Sequence, residues 1–209
     1  MTDEYVLQDS RGNTGDRLMF HAIGGAGYTT NLDAAHRFTK REAANHNSFR
    51  ETDKPWPLAY LVERHELAVD CQYVKPDDVQ AALAIEDKAY LCVSGRWNGN
   101  DLIWLAGDGE HTADLSHAKV FPLDVAVSVS SQHSDGLRAI PKAFVDQLAR
   151  KVVPSGRVNI TAALKGTGVT LAKSPKARHV SMRCDHCGAF ISEAQRFGDC
   201  PKCKGSNAP

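Results

Sequence analysis

The sequence predicts an α+β protein made of two related antiparallel β-meander units, the first followed by a helix, and a small four-cysteine module near the C-terminal end. Three observations lead to this prediction. An order of apolar and turn segments near the start recurs after residue 90, and two Cys-x2-Cys pairs stand close together near residue 200. Hydrophobic residues make up 42% of the 209 residues and charged residues 24%. This composition is typical of a globular chain and excludes a disordered or collagen-like one.

The internal similarity pairs residues 5–38 with residues 90–121. Each segment runs through an aromatic-led strand, a polar turn, an apolar strand and a glycine-rich turn. Each then reads Thr-x-(Asn/Asp)-Leu-x-x-Ala and ends at a Phe. A shared order of this kind predicts two copies of one supersecondary unit, each built around a short antiparallel meander.

The two copies are predicted to diverge after the shared Phe. In the first copy, Thr39 and Glu42 fit a capping box, which predicts a helix over residues 40–49. In the second copy, the alternating valines of residues 125–129 favour a strand. Residues 51–60 hold two prolines around a tryptophan and are predicted to form an ordered loop.

Two further helices are predicted from proline positions, over residues 75–83 and 141–153. Residues 158–171 are predicted to form a hairpin around a Lys-Gly-Thr turn. The resulting domain prediction is a first unit at 1–70, a second unit at 71–163 with helix 141–153, a basic linker at 164–182 and a zinc-ribbon module at 183–209.

The four C-terminal cysteines carry the clearest chemical signal. Two Cys-x2-Cys pairs are separated by twelve residues, and the ligand set is Cys184, Cys187, Cys200 and Cys203. Two residues between thiolates let one tight turn aim both sulfurs at a single ion. Four thiolates suit Zn²⁺ in a closed structural site that has no open position for catalysis. The sequence therefore predicts structural zinc, with iron and a pair of disulfides as the alternatives.

Other cysteines and nearby histidines are not predicted to be ligands. His179 and His186 lie near the ligands in sequence, but four cysteines already complete a tetrahedral set. Cys71 and Cys92 are separate in sequence, and each is predicted to be a small buried apolar residue.

Charge is distributed unevenly along a chain whose formal net charge is zero. Residues 1–135 hold 12 basic and 21 acidic side chains, a net of −9, whereas residues 136–209 hold 13 and 4, a net of +9. This split indicates either two halves that attract each other or a basic segment with its own anionic partner. The candidate binding residues for nucleic acid or another partner lie in an acid-free stretch and are Lys165, Lys173, Lys176, Arg178 and Arg183.

No motif argues positively for an enzyme. The glycines of residues 24–27 lack the following Lys-Ser/Thr of a phosphate-binding loop, so they are interpreted as a turn. The enzymatic alternative is a small active site between the two copies, which predicts a deep cleft lined by His21, His111 or Asp101.

Three segments of the first copy resemble small accessory proteins of tailed phages and prophages. These segments are residues 5–11 (YVLQDSR), 24–35 (GxxGYTTxLxxA) and 50–57 (RETDxPWP). Residues 183–205 are similar to the zinc ribbons at the ends of many phage and bacterial proteins. The phage group is largely uncharacterised, so the resemblance implies a genomic setting and no mechanism.

The phage setting implies a protein that acts in the bacterial host cytoplasm. The acidic start of the chain, followed by no apolar segment, predicts neither a secretory signal nor a membrane partner. The leading hypothesis is a non-enzymatic binding protein that uses the basic linker and the ribbon. Its target is either nucleic acid or a host protein complex, as in counter-defence. A virion or assembly component is a further alternative, and a homo-oligomer is left open.

Overall fold

The computed structural model describes residues 4–132, 136–173 and 182–207. The chain divides into two compact units, Met1–Ala172 and Lys173–Pro209, called unit 1 and unit 2 below. The predicted α+β class is confirmed, because unit 1 has two curled antiparallel sheets with short helices and unit 2 carries the four-cysteine cluster. Among the described residues, no helix is long and apolar enough to cross a membrane.

The secondary structure of unit 1 runs through the same sequence of elements twice. The first half comprises β1 (Glu4–Thr14), β2 (Arg17–His21), β3 (Tyr28–Thr29), β4 (Phe38–Thr39), α1 (Lys40–Phe49), β5 (Asp53–Pro57), α2 (Leu58–Val62), β6 (Glu66–Ala68) and α3 (Pro76–Leu83). The second half comprises β7 (Lys88–Asn98), β8 (Asp101–Leu105), β9 (His111–Thr112), β10 (Val120–Pro122), α4 (Leu123–Gln132), β11 (Leu137–Pro141), α5 (Lys142–Leu148), β12 (Arg150–Val152) and α6 (Ile160–Leu164). Corresponding elements therefore occupy the same place in each half.

Each half is built around one long strand. In the first sheet β1 pairs antiparallel with β2, β4 and β5, and β3 extends the sheet beyond β2. In the second sheet β7 pairs in the same way with β8, β10 and β11, and β9 extends it beyond β8. β6 and β12 pair with each other, so one strand from each half forms a small two-stranded sheet.

The two halves exchange their last segments. Val69, Val74 and Val79, from the end of the first half, are buried in a core cluster with Tyr90 and Trp104 of the second half. Conversely, a first-half core cluster around Phe20 and Trp56 takes up Val153 and Ala163 from the second half. Each hydrophobic core is therefore completed by the other half of unit 1.

The two long hairpins meet at their turns. Gly15 and Gly99 each have a φ of 62°, and a Cβ atom on Gly99 would lie 2.6 Å from the Thr14 backbone. The Asp16 backbone N–H donates to Asn98 Oδ1 at 3.0 Å, and Asn98 Nδ2 donates to Asp16 Oδ1 at 2.6 Å. Glycine is required at these turns because the two backbones approach too closely for a side chain.

A chain of buried ion pairs continues inward from these turns. Arg17 Nε lies 2.9 Å from Asp101 Oδ2, and Arg17 Nη1 lies 2.6 Å from Glu66 Oε2. Arg150 Nη2 lies 2.6 Å from the other oxygen of Asp101. Arg17 and Asp101 both occupy the first position of their strands, β2 and β8, so one half supplies the cation where the other supplies the anion. Arg157 also contacts Glu66, at 2.7 Å.

Three predictions for the second half, a strand, a long helix and a hairpin, are wrong. The second half does have a helix after its meander, α4, because Leu123, Ala126 and Val129 lie three residues apart and pack on the second sheet. Helix 141–153 is shorter than predicted, since α5 ends at Leu148 and the chain pairs as β12 with β6. The predicted hairpin at 158–171 instead begins with helix α6, whose N-terminus is capped by the Asn159 side chain.

The predicted loop at 51–60 is also wrong, because it contains strand β5. Among the strands that the structure describes, β5 pairs with β1 alone, and its two prolines lie opposite Leu7 and Tyr5. Proline is tolerated there because an edge strand leaves one side of its backbone without ladder hydrogen bonds. Trp56 between the prolines is buried, and its Nε1 donates to Gln8 Oε1 at 2.8 Å.

Candidate metal centre and cation–aromatic surface

Two similar turns bring the four predicted ligands of unit 2 together. In the first turn the Cys184 N–H donates to the Ala189 carbonyl, and the Gly188 N–H donates to the Cys184 carbonyl, both at 2.9 Å. In the second turn the Cys200 N–H donates to Gly205 and the Lys204 N–H donates to Cys200, both at 2.8 Å. The turns therefore present Cys-x2-Cys pairs with the same backbone hydrogen bonding.

The sulfur geometry fits a tetrahedral metal site. Cys184 Sγ lies 3.7 Å from Cys203 Sγ, and Cys187 Sγ lies 3.7 Å from Cys200 Sγ. All four sulfurs lie within 4.8 Å of one another. Four thiolates at the usual Zn–S distance have an edge length of about 3.8 Å, whereas a disulfide bond measures about 2.05 Å. The four cysteines are therefore spaced as metal ligands and not as disulfides.

The four thiols of the cluster and the surrounding backbone N–H groups shift one another's pKa values in opposite directions. Backbone N–H groups of Cys203 and Lys202 lower the pKa of Cys200 to about 6. The Gly205 N–H acts to lower the pKa of Cys203, but contact with the Cys187 sulfur, burial and the other two sulfurs outweigh it and raise this pKa to about 12. A divalent cation would offset that mutual repulsion and hold all four groups as thiolates.

Residues around the cysteines support the turns. Gly188 and Lys204, each directly after the second cysteine of its pair, have φ values of 67° and 63°. Gly205 has no such φ, but a Cβ atom there would lie 2.6 Å from the ring of His186. His186 Nε2 is 2.7 Å from the Ser206 carbonyl oxygen, so this nitrogen is engaged outside the sulfur cluster. His179 lies outside the described residues.

The five predicted basic binding residues are divided between the two units, and two of them lie outside the described residues. Lys165 is exposed directly after α6 in unit 1, and Lys173 is exposed at the start of unit 2. Lys176 and Arg178 lie outside the described residues. Arg183 is exposed on β13 (Met182–Arg183), which pairs with β14 (Phe190–Ile191).

Two arginine–phenylalanine pairs are exposed in unit 2, and Arg183, Arg196 and Phe197 line one shallow groove; sequence reasoning had named Arg183 alone of these residues. The Arg183 guanidinium lies 4.3 Å from the centre of the Phe190 ring, and the Arg196 guanidinium lies 5.1 Å from that of Phe197. The two phenylalanines are 68% and 65% exposed. The sequence did contain a clue, namely two phenylalanines in a very short module. The apolar core of this module comprises little beyond Ile191 and Met182, so it cannot bury both phenylalanine rings. We call these four residues the cation–aromatic surface.

The charge split has a partial structural explanation. Three basic residues of the C-terminal part pair with acidic residues of the N-terminal part: Arg150 with Asp70 and Asp101, Lys151 with Asp33, and Arg157 with Glu66. Part of the net charge of +9 in residues 136–209 is therefore neutralised by ion pairs within unit 1. The seven cationic residues of 173–209 take no part in these pairs.

The three residues of the enzymatic alternative have different partners. His21 Nε2 lies 3.3 Å from Asp53 Oδ1, and His111 Nδ1 lies 3.0 Å from Arg96 Nη1. Asp101 is buried in the ion-pair chain between Arg17 and Arg150, where burial raises its pKa and the two arginines oppose that rise. A cavity does lie between the halves of unit 1, but none of these three residues lines it.

Comparison with known proteins finds no family model, no curated protein and no solved structure that matches this chain. The geometry of the two units therefore carries the functional argument.

Proposed function

We propose that this chain is a non-enzymatic protein that binds single-stranded nucleic acid through unit 2, which is stabilised by one structural Zn²⁺. The observation that carries the proposal is the cation–aromatic surface beside the four-cysteine cluster. Exposed aromatic rings next to guanidinium groups stack with unpaired bases, and cations nearby contact the phosphate backbone. The bases of a duplex are already stacked, so single strands are the preferred form.

The net charge of residues 173–209 also favours nucleic acid as the target. Residues 173–209 hold seven cationic and three acidic side chains, a net of +4. A Zn²⁺ ion with four thiolates carries a net charge of −2, which leaves +2 for the segment. A small positive charge favours phosphate contacts, and binding weakens as salt displaces them.

Zinc is the ion that we propose, and its role is structural. Four cysteine ligands leave no position for substrate, and the described apolar core of unit 2 is too small to fold without a metal. Metal-bound thiolates also favour a reducing compartment, and we propose the bacterial cytoplasm implied by the phage resemblance. Elemental analysis of the purified chain should find one zinc per chain, and iron in its place would overturn this assignment.

Fluorescence anisotropy with labelled single-stranded DNA and RNA tests the nucleic-acid proposal. We expect Phe190→Ala/Phe197→Ala to weaken binding by about tenfold or more, since each lost stacking contact contributes about 1–3 kcal/mol. Arg183→Gln/Arg196→Gln should reduce the dependence of affinity on salt. A labelled duplex of the same sequence should bind more weakly than the single strand.

Phe49→Ala is the matched control, because Phe49 lies in unit 1 and is 90% exposed. The zinc content of every variant is measured first, so that loss of the module is not mistaken for loss of a contact. Unchanged binding by the zinc-loaded double phenylalanine variant would overturn the proposal. An equal loss of affinity in the Phe49→Ala variant would also overturn the proposal.

A further inference from the structure

The cavity between the two halves of unit 1 is a second place where polar side chains converge. Its volume is about 530 Å³, and both halves contribute to its lining. Small-molecule sites typically have volumes of about 300–1,000 Å³. The cavity is therefore large enough for a small ring compound.

A largely buried arginine, held by its own ion pairs, lies in the wall of this cavity. The Arg150 side chain is nine-tenths buried and is held by Asp101 at 2.6 Å, by Asp70 at 3.3 Å and by the Thr30 hydroxyl. Its Nε atom is buried and has no hydrogen-bond partner within the described residues. Because Nε has almost no accessible surface, it does not face the cavity, and Arg150 contributes a wall that its own ion pairs hold in place.

Four amide side chains line the same cavity, and the Oδ1 of one of them, Asn31, accepts from the Asp33 N–H at 3.0 Å. Gln72, Asn100 and Gln147 make no side-chain hydrogen bond to any part of the chain that the structure describes. Each amide offers a donor and an acceptor side by side in one plane, which is the arrangement that Asn and Gln use to bind the edge of a base.

The charge and the aromatic residues of the lining narrow the ligand class. Arg150 and Asp70 are the charged residues of the lining, and they pair with each other, so the cavity is neutral. Tyr73, which is 63% exposed, and Tyr28 contribute aromatic rings to the lining. A neutral, flat ring with adjacent donors and acceptors suits these groups better than a phosphate or a carboxylate.

We propose that this cavity binds the base of a neutral nucleoside, with the amides reading its edge and an aromatic ring stacking on its face. The inference does not rest on the proposed function, because it concerns unit 1 and a ligand without phosphate. Phosphate adds no favourable contact here, so affinity for a nucleoside should match or exceed that for its monophosphate and should vary little with salt.

Within the described part of unit 1, the second half does not repeat this set of side chains, although the fold is repeated. Gln72 is the middle residue of the turn Cys71–Tyr73, and the corresponding turn Ser155–Arg157 has Gly156 there. The first residue of β12 is Arg150, whereas that of β6 is Glu66. Gln147 corresponds to Glu63 by its place after the helix start. The fold alone therefore does not account for the amide set, and the stoichiometry should be one nucleoside per chain.

Isothermal titration calorimetry on the full zinc-loaded chain tests the proposal. The probes are adenosine, guanosine, cytidine and uridine, their monophosphates, and glucose as a neutral polyol, each at low and high salt. We expect at least one nucleoside to bind at one per chain. Gln72→Met/Gln147→Met should weaken that binding by about tenfold or more, because it removes two amides and keeps the side-chain length.

Gln80→Met is the matched control, since Gln80 is exposed on α3 outside the cavity lining. Tyr73→Ala supplies a second test that does not depend on the amides. Three results would overturn the proposal: no nucleoside binds, glucose alone binds, or the Gln80 variant loses as much affinity as the double variant. The nucleoside proposal and the single-strand proposal can fail independently. The Phe190→Ala/Phe197→Ala chain should lose affinity for single strands and should still bind the nucleoside.

Discussion

Asp9 and Asp53 face each other across the β1–β5 ladder, and each is neutralised in its own way. Arg11 binds Asp9 at 2.7 Å, whereas His21 and Arg50 lie 3.3 Å and 3.4 Å from Asp53. Two carboxylates directly opposite each other repel, so each needs a cation. The corresponding positions of the second half, the sixth residue of β7 and the first residue of β11, are Val93 and Leu137.

Stability should depend on the charge of Asp9 at acidic pH. The hydrogen bonds from Arg11 lower the pKa of Asp9 from 3.8 to about 2. A lowered pKa means that the carboxylate stabilises the folded chain above the unfolded pKa, and that this contribution is lost as pH falls through about 2. Asp9→Asn should therefore destabilise the chain at neutral pH and approach the wild-type stability as pH falls. Urea unfolding across this pH range measures the difference, and a pH-independent difference would contradict the prediction.

Six free cysteines in one chain allow a residue-by-residue test of the metal centre. Burial raises the pKa of Cys92 to about 11, and burial also raises the pKa of Cys71. Both thiols should therefore react slowly near neutral pH, since the thiolate is the nucleophile.

Chelation should expose four fast-reacting thiols. A thiol-reactive dye added before chelation should modify the chain slowly, because the metal holds the thiolates of unit 2. Chelation should unfold unit 2, because its apolar core is too small to fold without the metal, so the cluster environment of the thiols is lost. Four thiols should then react quickly, and Cys92→Ala should leave that number unchanged. Six fast thiols after chelation would show that unit 1 had opened as well.

Helix α1 illustrates an element specified by its own ends. The Thr39 hydroxyl accepts from the Glu42 N–H at 3.3 Å, and the Glu42 carboxylate accepts from the Thr39 N–H at 2.8 Å. The Thr39 N–H and the Thr39 hydroxyl both donate to Glu42 Oε2 at 2.8 Å, and these two hydrogen bonds lower the pKa of Glu42. Helix α4, in the equivalent place, is instead determined by Ala126 and its neighbours packing on the second sheet.

Thr39→Ala should lower the free energy of unfolding by about 1 kcal/mol, since it removes half of the capping box. Chemical unfolding followed by circular dichroism measures this change. Thr170→Ala is the control, because Thr170 is exposed and its side chain makes no hydrogen bond within the described residues. Equal stability of the two variants would show that the cap contributes nothing.

The ion-pair chain and the exchanged segments make unit 1 a single cooperative body. Arg17 is almost fully buried and is held by Asp101 and Glu66, from opposite halves. Burial acts to lower the pKa of Arg17, but its hydrogen bonds to the two carboxylates outweigh burial and raise it. A half on its own would lack both the partner charge and the segment that completes its core.

Arg17→Met should destabilise unit 1 by about 3–5 kcal/mol, because it leaves buried carboxylates with fewer partners. Arg41→Met is the control, since Arg41 is exposed on α1. Urea unfolding monitored by tryptophan fluorescence is informative because Trp56 and Trp104 lie in the two different cores. We expect one shared transition at lower urea, and an unchanged midpoint would contradict the role assigned to Arg17.

The sequence by itself determined the features that depend on neighbours along the chain. The capping box of α1, the proline-led start of α3 and the two cysteine turns are local, because their hydrogen bonds join residues only a few positions apart. The order of the meander strands in the two halves was also visible, since turn glycines and apolar runs follow the chain, but the equivalent elements after each meander were not.

Tertiary structure alone decided what depends on distant residues. The prolines of β5 are accommodated because β1 supplies a partner strand on one side, and α5 stops at Leu148 because β6 pairs with the next residues. The ion pairs of Arg17 with Asp101 and Glu66, and that of Arg150 with Asp101, join residues 49 to 84 positions apart. The cavity around Arg150 and the exchanged core segments likewise combine residues of both halves. Such contacts leave no periodic or spaced pattern in the sequence, because their geometry arises only when the two sheets pack together.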